Sequence, residues 1–168
     1  MTTIKLKIRL YGDPCLRKKS IPVPEVGPPE RALIQSMMAT MHEHKGIGLA
    51  APQVCIHQRI FVADIGEGPL AFVNPKIIRY FGSGVLEEGC LSIPGVTVMV
   101  RRPEKIVVRY LDEHNQPVEK ACEALLARVI QHETDHLDGR LIVDYAGFKE
   151  RIKLRKQLKA IQESQEMQ

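Results

Sequence analysis

The sequence predicts an α+β fold: antiparallel or mixed β-sheets around a central metal-binding helix, with a further helix at the C-terminal end. Three observations carry this. Segments of strand character at 59–65, 70–80, 96–101 and 105–111 follow the first helical stretch with no helices between them, so alternating βαβ units are absent. Helical periodicity is confined to 30–45, 122–137 and a stretch from 148 to about 162. The middle helix holds His132-Glu133-Thr134-Asp135-His136, and a helix carrying metal ligands should be buried.

In chain order, Pro22 to Pro29 is a proline-rich loop. The helix at 30–45 sets Leu33, Ile34, Met37, Met38 and Met41 on one face, and its methionines read as core filler. Gly46 ends it. Gly46-Ile47-Gly48-Leu49-Ala50-Ala51-Pro52-Gln53 comes next, where small residues allow the backbone close to a ligand and Gln53 offers an amide donor for a developing oxyanion. Alone, that segment is better explained as a tight helix-to-strand turn. The four strand segments have β-branched character and turn boundaries, and 112–117 turns between two of the strands, with the second helix following. Leu125, Val129 and Ile130 give that helix apolar surface around its histidines. No internal repeat or low-complexity segment is present.

At 168 residues, 44% hydrophobic and 26% charged, the chain is long enough for one domain with a sizeable core. Residues 1–147 read as the catalytic part and 148–168 as a basic helix and tail of the same domain. The net charge of +4 is unevenly spread: the stretch 148–159 carries +5 and everything else sums to −1. Phe148, Ile152, Leu154 and Leu158 recur at near-helical spacing there, which makes it a basic amphipathic helix. Such a face is usually only solvated, though clustered lysine and arginine also suit sequence-independent contact with phosphates. The four cysteines are too few and scattered for a disulfide framework, so Cys15, Cys55 and Cys122 read as small buried hydrophobes. A reducing cytoplasm is the expected compartment. No 18-residue apolar run exists, and residues 1–10 lack an apolar signal core, so neither secretion nor membrane spanning is expected.

The His-Glu-x-x-His pattern points to a metal. At about 100° per residue, His132 and His136 lie about 40° apart and one turn up, so both imidazoles reach one ion. Glu133 sits beside them, placed to take a proton from a water on the metal. A catalytic site of this type needs a third protein ligand. Gly139 stands where one class of metalloproteases has a glycine, but Ile142 stands where that class has its third histidine. Glu163 and Glu166 lie in a polar tail. The better candidate is Cys90, in Glu87-Glu88-Gly89-Cys90-Leu91-Ser92-Ile93-Pro94, where Gly89 and Pro94 impose an irregular backbone. A thiolate suits Fe2+, Zn2+ or Co2+.

Three segments in order, 46–53, Glu88-Gly89-Cys90-Leu91-Ser92 and Gln131-His132-Glu133-Thr134-Asp135-His136-Leu137, resemble the signature motifs of peptide deformylases, and Gly12-Asp13-Pro14-Cys15-Leu16-Arg17 is similar to that family's N-terminal segment. The resemblance implies the α+β fold and hydrolysis of the N-formyl group from N-formylmethionyl nascent peptides, releasing formate. It implies Cys90, His132 and His136 as metal ligands and Glu133 as general base and acid. Gln53 and the Leu91 backbone N–H would hold the oxyanion, Gly48 would contact the peptide backbone, and Ile47, Leu91, Val129 and His132 would shape the methionine pocket. Fe2+ is the implied metal, with Zn2+, Ni2+ and Co2+ accepted by the same ligands. The basic C-terminal helix would meet the ribosome; no membrane and no sequence-specific nucleic acid is implied. Arg128 departs from the apolar residue expected one turn before His132, and its head is expected to snorkel to solvent. Two rivals share parts of the pattern. A zinc endopeptidase would need an extended cleft and a different third ligand, and a structural metal module would need a fourth Cys or His.

Overall fold

The structure, a computed structural model, describes residues 3–168. Met1 and Thr2, the start of the stretch read as lacking a signal core, lie outside the described residues. Among the described residues, seven strands form two separate antiparallel sheets. β1 (Gly48–Ala50), β2 (Ile60–Ala63), β3 (Leu70–Phe81), β6 (Lys105–Leu111) and β7 (Pro117–Glu123) make a five-stranded sheet in the order β1-β2-β3-β6-β7. β4 (Gly84–Gly89) and β5 (Thr97–Arg102) make a two-stranded hairpin. The helices are α1 (Pro28–Glu43), α2 (Ala124–Leu137) and α3 (Phe148–Glu166). Among the described residues, no helix is long and apolar enough to cross a membrane.

The predicted strands are present with ends shifted by a few residues, and β1, β4 and β7 are additional. The segment 46–53 is therefore more than a turn: β1 pairs with β2, and 51–54 forms a 3-10 turn. Helix α2 begins at Ala124, two residues later than predicted, because Cys122 is opposite Ile106 in the β6–β7 ladder.

Helix α1 buries Ile34, Met37 and Met41 completely or nearly so, with Leu33 and Met38 partly buried beside them. The methionine face is core, as its spacing predicts. Helix α2 lays Ala127, Ile130 and Leu137 against Phe61 and Phe72 of the large sheet and Ile106 and Val108 of β6. Phe61 stacks on Phe72 at 4.6 Å between ring centroids, giving that layer its bulk.

Sequence expectations fail for α3 and for two of the cysteines. Phe148 and Ile152 are 81% and 58% exposed; the inward face of α3 is Leu154, Leu158 and Ile161, which pack on a cluster containing Leu16, Ile93 and Ile142. These three share one helical stripe, whereas Phe148 and Ile152 lie on another face of α3. The other failure concerns Cys15 and Cys55, read as isolated small hydrophobes. They are joined as a disulfide with Cα atoms 5.2 Å apart, bridging the 3-10 turn 14–17 to the one at 51–54. Forty residues separate them in sequence, so only the docking of the two turns reveals the pair. Cys122 is the buried apolar cysteine it was read to be.

Candidate metal centre

Strand β4 ends at Gly89, and Cys90 follows it into the site from the hairpin; His132 and His136 enter from one face of α2. One ligand-type atom from each of the three lies within 4.8 Å of the others. Cys90 Sγ is 3.4 Å from His136 Nε2. A soft thiolate and two imidazoles make a donor set for one mid-sized divalent ion with a position left open.

A buried carboxylate organises this set. His132 Nδ1 meets Glu88 Oε1 at 3.0 Å, so its proton belongs on Nδ1 and Nε2 is free for a metal. Arg102 forks onto Glu88 with Nε at 2.7 Å and Nη2 at 3.0 Å, and its Nη1 reaches Asp135 at 2.9 Å. Burial opposes ionisation of Glu88, but hydrogen bonds from His132 and Arg102 outweigh it and hold its carboxyl down at about 2. Burial also works against a charged His132, yet its bonds to Cys90 and Glu88 raise it well above its ordinary value. His136 is pushed well below its ordinary value, by burial and then by the charge of His132, toward the neutral imidazole that a metal can bind.

The expectation for Arg128 is overturned. Its head does not snorkel to solvent. Nη1 donates to Glu88 Oε2 at 2.9 Å and to the Val100 carbonyl at 3.0 Å, and Nη2 donates to the Gly84 carbonyl at 3.1 Å. The residue is 8% exposed, because an ionised carboxylate and two strand carbonyls replace water around the guanidinium. A cavity of about 650 Å³ opens beside it, with Phe81, Val85, Leu86 and Leu125 in its walls.

Glu133 is 4% exposed, and its Oε2 has no hydrogen-bond partner among the described residues. Burial raises its carboxyl to about 7 against the opposing charges of His132 and Arg102. An orphaned buried carboxylate oxygen beside three converging donors fits a site built for a cation and a water. Gly48 is explained by the same approach: a Cβ on it would run into the Glu133 carboxylate. Gln53 is fully oriented. Its Oε1 accepts from the Ala50 N–H at 2.9 Å, which turns Nε2 toward Ser92 Oγ at 3.0 Å and Cys90 Sγ at 3.6 Å.

Of the remaining predicted site residues, Leu91 is partly buried against the α1 core, Ile47 is 44% exposed, and Val129 is buried in the core under α2. None of Ile47, Gly48 and Val129 lines the cavity beside Arg128. Sequence reasoning assigned no role to Glu88, Ser92, Arg102 or Asp135. The signal for Glu88 was present: a ligating histidine needs a partner for its second nitrogen, and Glu88 lies two residues from Cys90.

The polypeptide deformylase family model matches residues 5–151. The chain belongs to the polypeptide deformylase family. A peptide deformylase of Xanthomonas campestris is 46% identical over 159 residues, covering 91% of this chain and 94% of its own. The crystal structure of a peptide deformylase from Legionella pneumophila superposes with a TM-score of 0.91 at 38% identity, covering 98% of this chain and 99% of its own. A peptide deformylase of Synechococcus elongatus, solved in complex with actinonin, gives a TM-score of 0.87 at 40% identity over 96% of this chain and 91% of its own. The protein is thus a deformylase in fold and in activity: a metal-dependent hydrolase of the linear amide C–N bond that removes the N-formyl group from N-formylmethionine of nascent polypeptides as formate.

Proposed function

We propose that this deformylase works with Cys90, His132 and His136 holding one Fe2+ ion and Glu133 moving the protons. The observation that carries the assignment is the convergence of those three donors within 4.8 Å beside a buried carboxylate with an unpartnered oxygen. Bound there, the ion supplies Lewis acidity for the attack of water on the formyl carbonyl. Zn2+, Ni2+ and Co2+ fit the same ligands; Fe2+ is chosen on the family resemblance, since affinity alone does not select it.

In this reading Glu133 takes a proton from the attacking water as its oxygen bonds to the formyl carbon. The carbonyl oxygen becomes an oxyanion, which the Gln53 side-chain amide and the Leu91 backbone N–H stabilise. The bond from the Ala50 N–H to Oε1 keeps the Gln53 amide turned toward the Cys90 sulfur, and Nε2 exchanges its long contact there for the oxyanion. Glu133 then returns the proton to the departing amine, the C–N bond breaks, and formate and a free methionyl amino group result. Gly48 gives the peptide backbone a close contact, and Ile47, Leu91, Val129 and His132 border the methionine side chain.

The test separates binding from proton transfer. Glu133→Gln in anaerobically prepared protein should retain stoichiometric metal and lose about 10²- to 10⁴-fold of formyl-Met-Ala turnover, the usual contribution of a general acid–base group. Near-normal turnover by metal-replete Glu133→Gln overturns the role. Metal analysis of the same wild-type preparation decides iron against zinc, nickel and cobalt.

Residues 1–147 act as the catalytic part of one domain in this proposal, and 148–168 as its basic extension. The exposed Lys153, Arg155, Lys156 and Lys159 of α3 are suited to ribosomal RNA phosphates, which would hold the enzyme near emerging chains. Reversing those four to glutamate should abolish salt-sensitive ribosome co-sedimentation and leave free-peptide turnover intact. The cytoplasm is the proposed compartment.

A further inference from the structure

The β4–β5 hairpin that delivers Cys90 shares no strand pairing with the five-stranded sheet. Its buried valines, Val98 and Val100, belong to the cluster containing Leu141 and Ile142, which no α2 residue joins. Something else must set the hairpin's distance from α2. Two arginines span that gap. Arg102 belongs to the hairpin and reaches out to Asp135, whereas Arg128 belongs to α2 and reaches in. Arg128 holds the hairpin at three points on two strands: the Gly84 carbonyl at the start of β4, the Glu88 carboxylate near its end, and the Val100 carbonyl of β5. Glu88 is also the partner of His132 Nδ1, and it is two residues from Cys90. One buried guanidinium thus bears on a proposed histidine ligand through Glu88 and on the proposed cysteine ligand through the strand that carries it.

We propose that Arg128 is a positioning residue of the metal centre: it clamps both strands of the β4–β5 hairpin to α2 and so fixes the spacing of the Cys90 thiolate from the two imidazoles. This rests on the ligand assignment above. A planar fork is required, because a single ammonium cannot reach a carboxylate and two divergent carbonyls together. Lysine at 128 preserves the charge and loses the clamp.

The experiment uses Co2+-substituted holoenzyme, in which thiolate-to-cobalt and d–d absorption bands report ligand geometry independently of turnover. Arg128→Lys should shift those bands and lower Co2+ affinity, measured against a chelator, by about 10- to 100-fold, the usual range when a partner of a ligand is lost. The same variant should show a reduced kcat with KM little changed. Ile106→Ala, a cavity in the core beneath β6, supplies the purely structural control: it should lower the melting temperature and leave the bands unmoved. Arg128→Gln, which keeps an amide donor, provides the same readings if the lysine variant does not fold. A lowered melting temperature in the Arg128 variants with wild-type bands and wild-type Co2+ affinity overturns the proposal. Failure of the ligand assignment looks different, since the wild-type protein itself would then lack the thiolate-to-cobalt band.

Discussion

Helix α2 and the β4–β5 hairpin meet at the same three donors and are held there by different forces. Helix α2 is fixed from beneath: Ala127, Ile130 and Leu137 are fully buried against Phe61, Phe72 and Ile106. The hairpin is open on its β4 face, with Val85 and Leu86 39% and 56% exposed, and it is joined to α2 through Glu88, Arg102, Arg128 and Asp135. Apolar burial is non-directional and tolerates small shifts, whereas a network of forked ion pairs has one good geometry. The helix supplies a stable platform, and the charged hinge sets where the thiolate stands over it. Stability and metal geometry should therefore separate on mutation.

The widest separation is expected at Glu88. Glu88→Ala leaves two buried guanidiniums without their shared carboxylate and should cost about 3 to 5 kcal/mol in urea unfolding. It also frees His132 Nδ1, so metal affinity should fall by about 10- to 100-fold. Ile106→Ala should cost a similar amount, about 2 to 5 kcal/mol, through a cavity under the sheet. Its metal affinity should remain that of the wild type. Equal loss of affinity in both variants would break the comparison.

The two regions also carry buried carboxyls with opposite proton preferences, which acid titration of the metal-free protein can sharpen. Glu88, on the hairpin, is depressed to about 2 from the ordinary 4.5. Its contribution, about 3 kcal/mol, is present above pH 4.5 and lost as pH falls toward 2. Glu133, on the helix, is raised to about 7. It costs a comparable amount above pH 7, and the cost disappears as the group protonates on the way down to 4.5. Glu133→Gln should accordingly be more stable than wild type at pH 8 and gain little at pH 5, while Glu88→Gln should be weaker than wild type at both. Melting curves at the two pH values check this; a pH-independent gain for Glu133→Gln refutes the strain assigned to it.

How much of this was readable beforehand follows the same division. The apolar helix faces announced themselves: Met37 and Met41 of α1 and Ile130 of α2 recur at helical spacing and are buried where that spacing places them. His132, Glu133 and His136 were legible because four residues bring side chains together on a helix, and Cys90 because its turn is irregular. Strand β4 was not legible. Only Glu88 is buried along it, so it carries no alternating apolar signal. Arg102 drew no reading, and Arg128 stood out only as a charge in an apolar place, until a carboxylate 14 and 40 residues away is placed between them. The Cys15–Cys55 pair was hidden for the same reason: its signal is contact between distant turns.

The smallest effects belong to α3, which tests whether attachment by apolar burial can be read residue by residue. Leu154, Leu158 and Ile161 form its inward stripe, and the Gln165 side chain accepts from the Leu10 N–H at 2.8 Å near the helix end. Phe148 and Ile152 face water despite belonging to the same amphipathic run. Exposed apolar side chains give up no burial when removed, so Phe148→Ser and Ile152→Ser should each alter unfolding free energy by no more than about 0.5 kcal/mol. Leu158→Ala removes partly buried methyl groups from a face that touches the core and should cost about 1 to 2 kcal/mol. Formyl-peptide turnover should not change in any of the three, because α3 contributes no side chain to the metal centre. A larger loss from Phe148→Ser than from Leu158→Ala in urea unfolding would place the docking stripe on the other side of the helix.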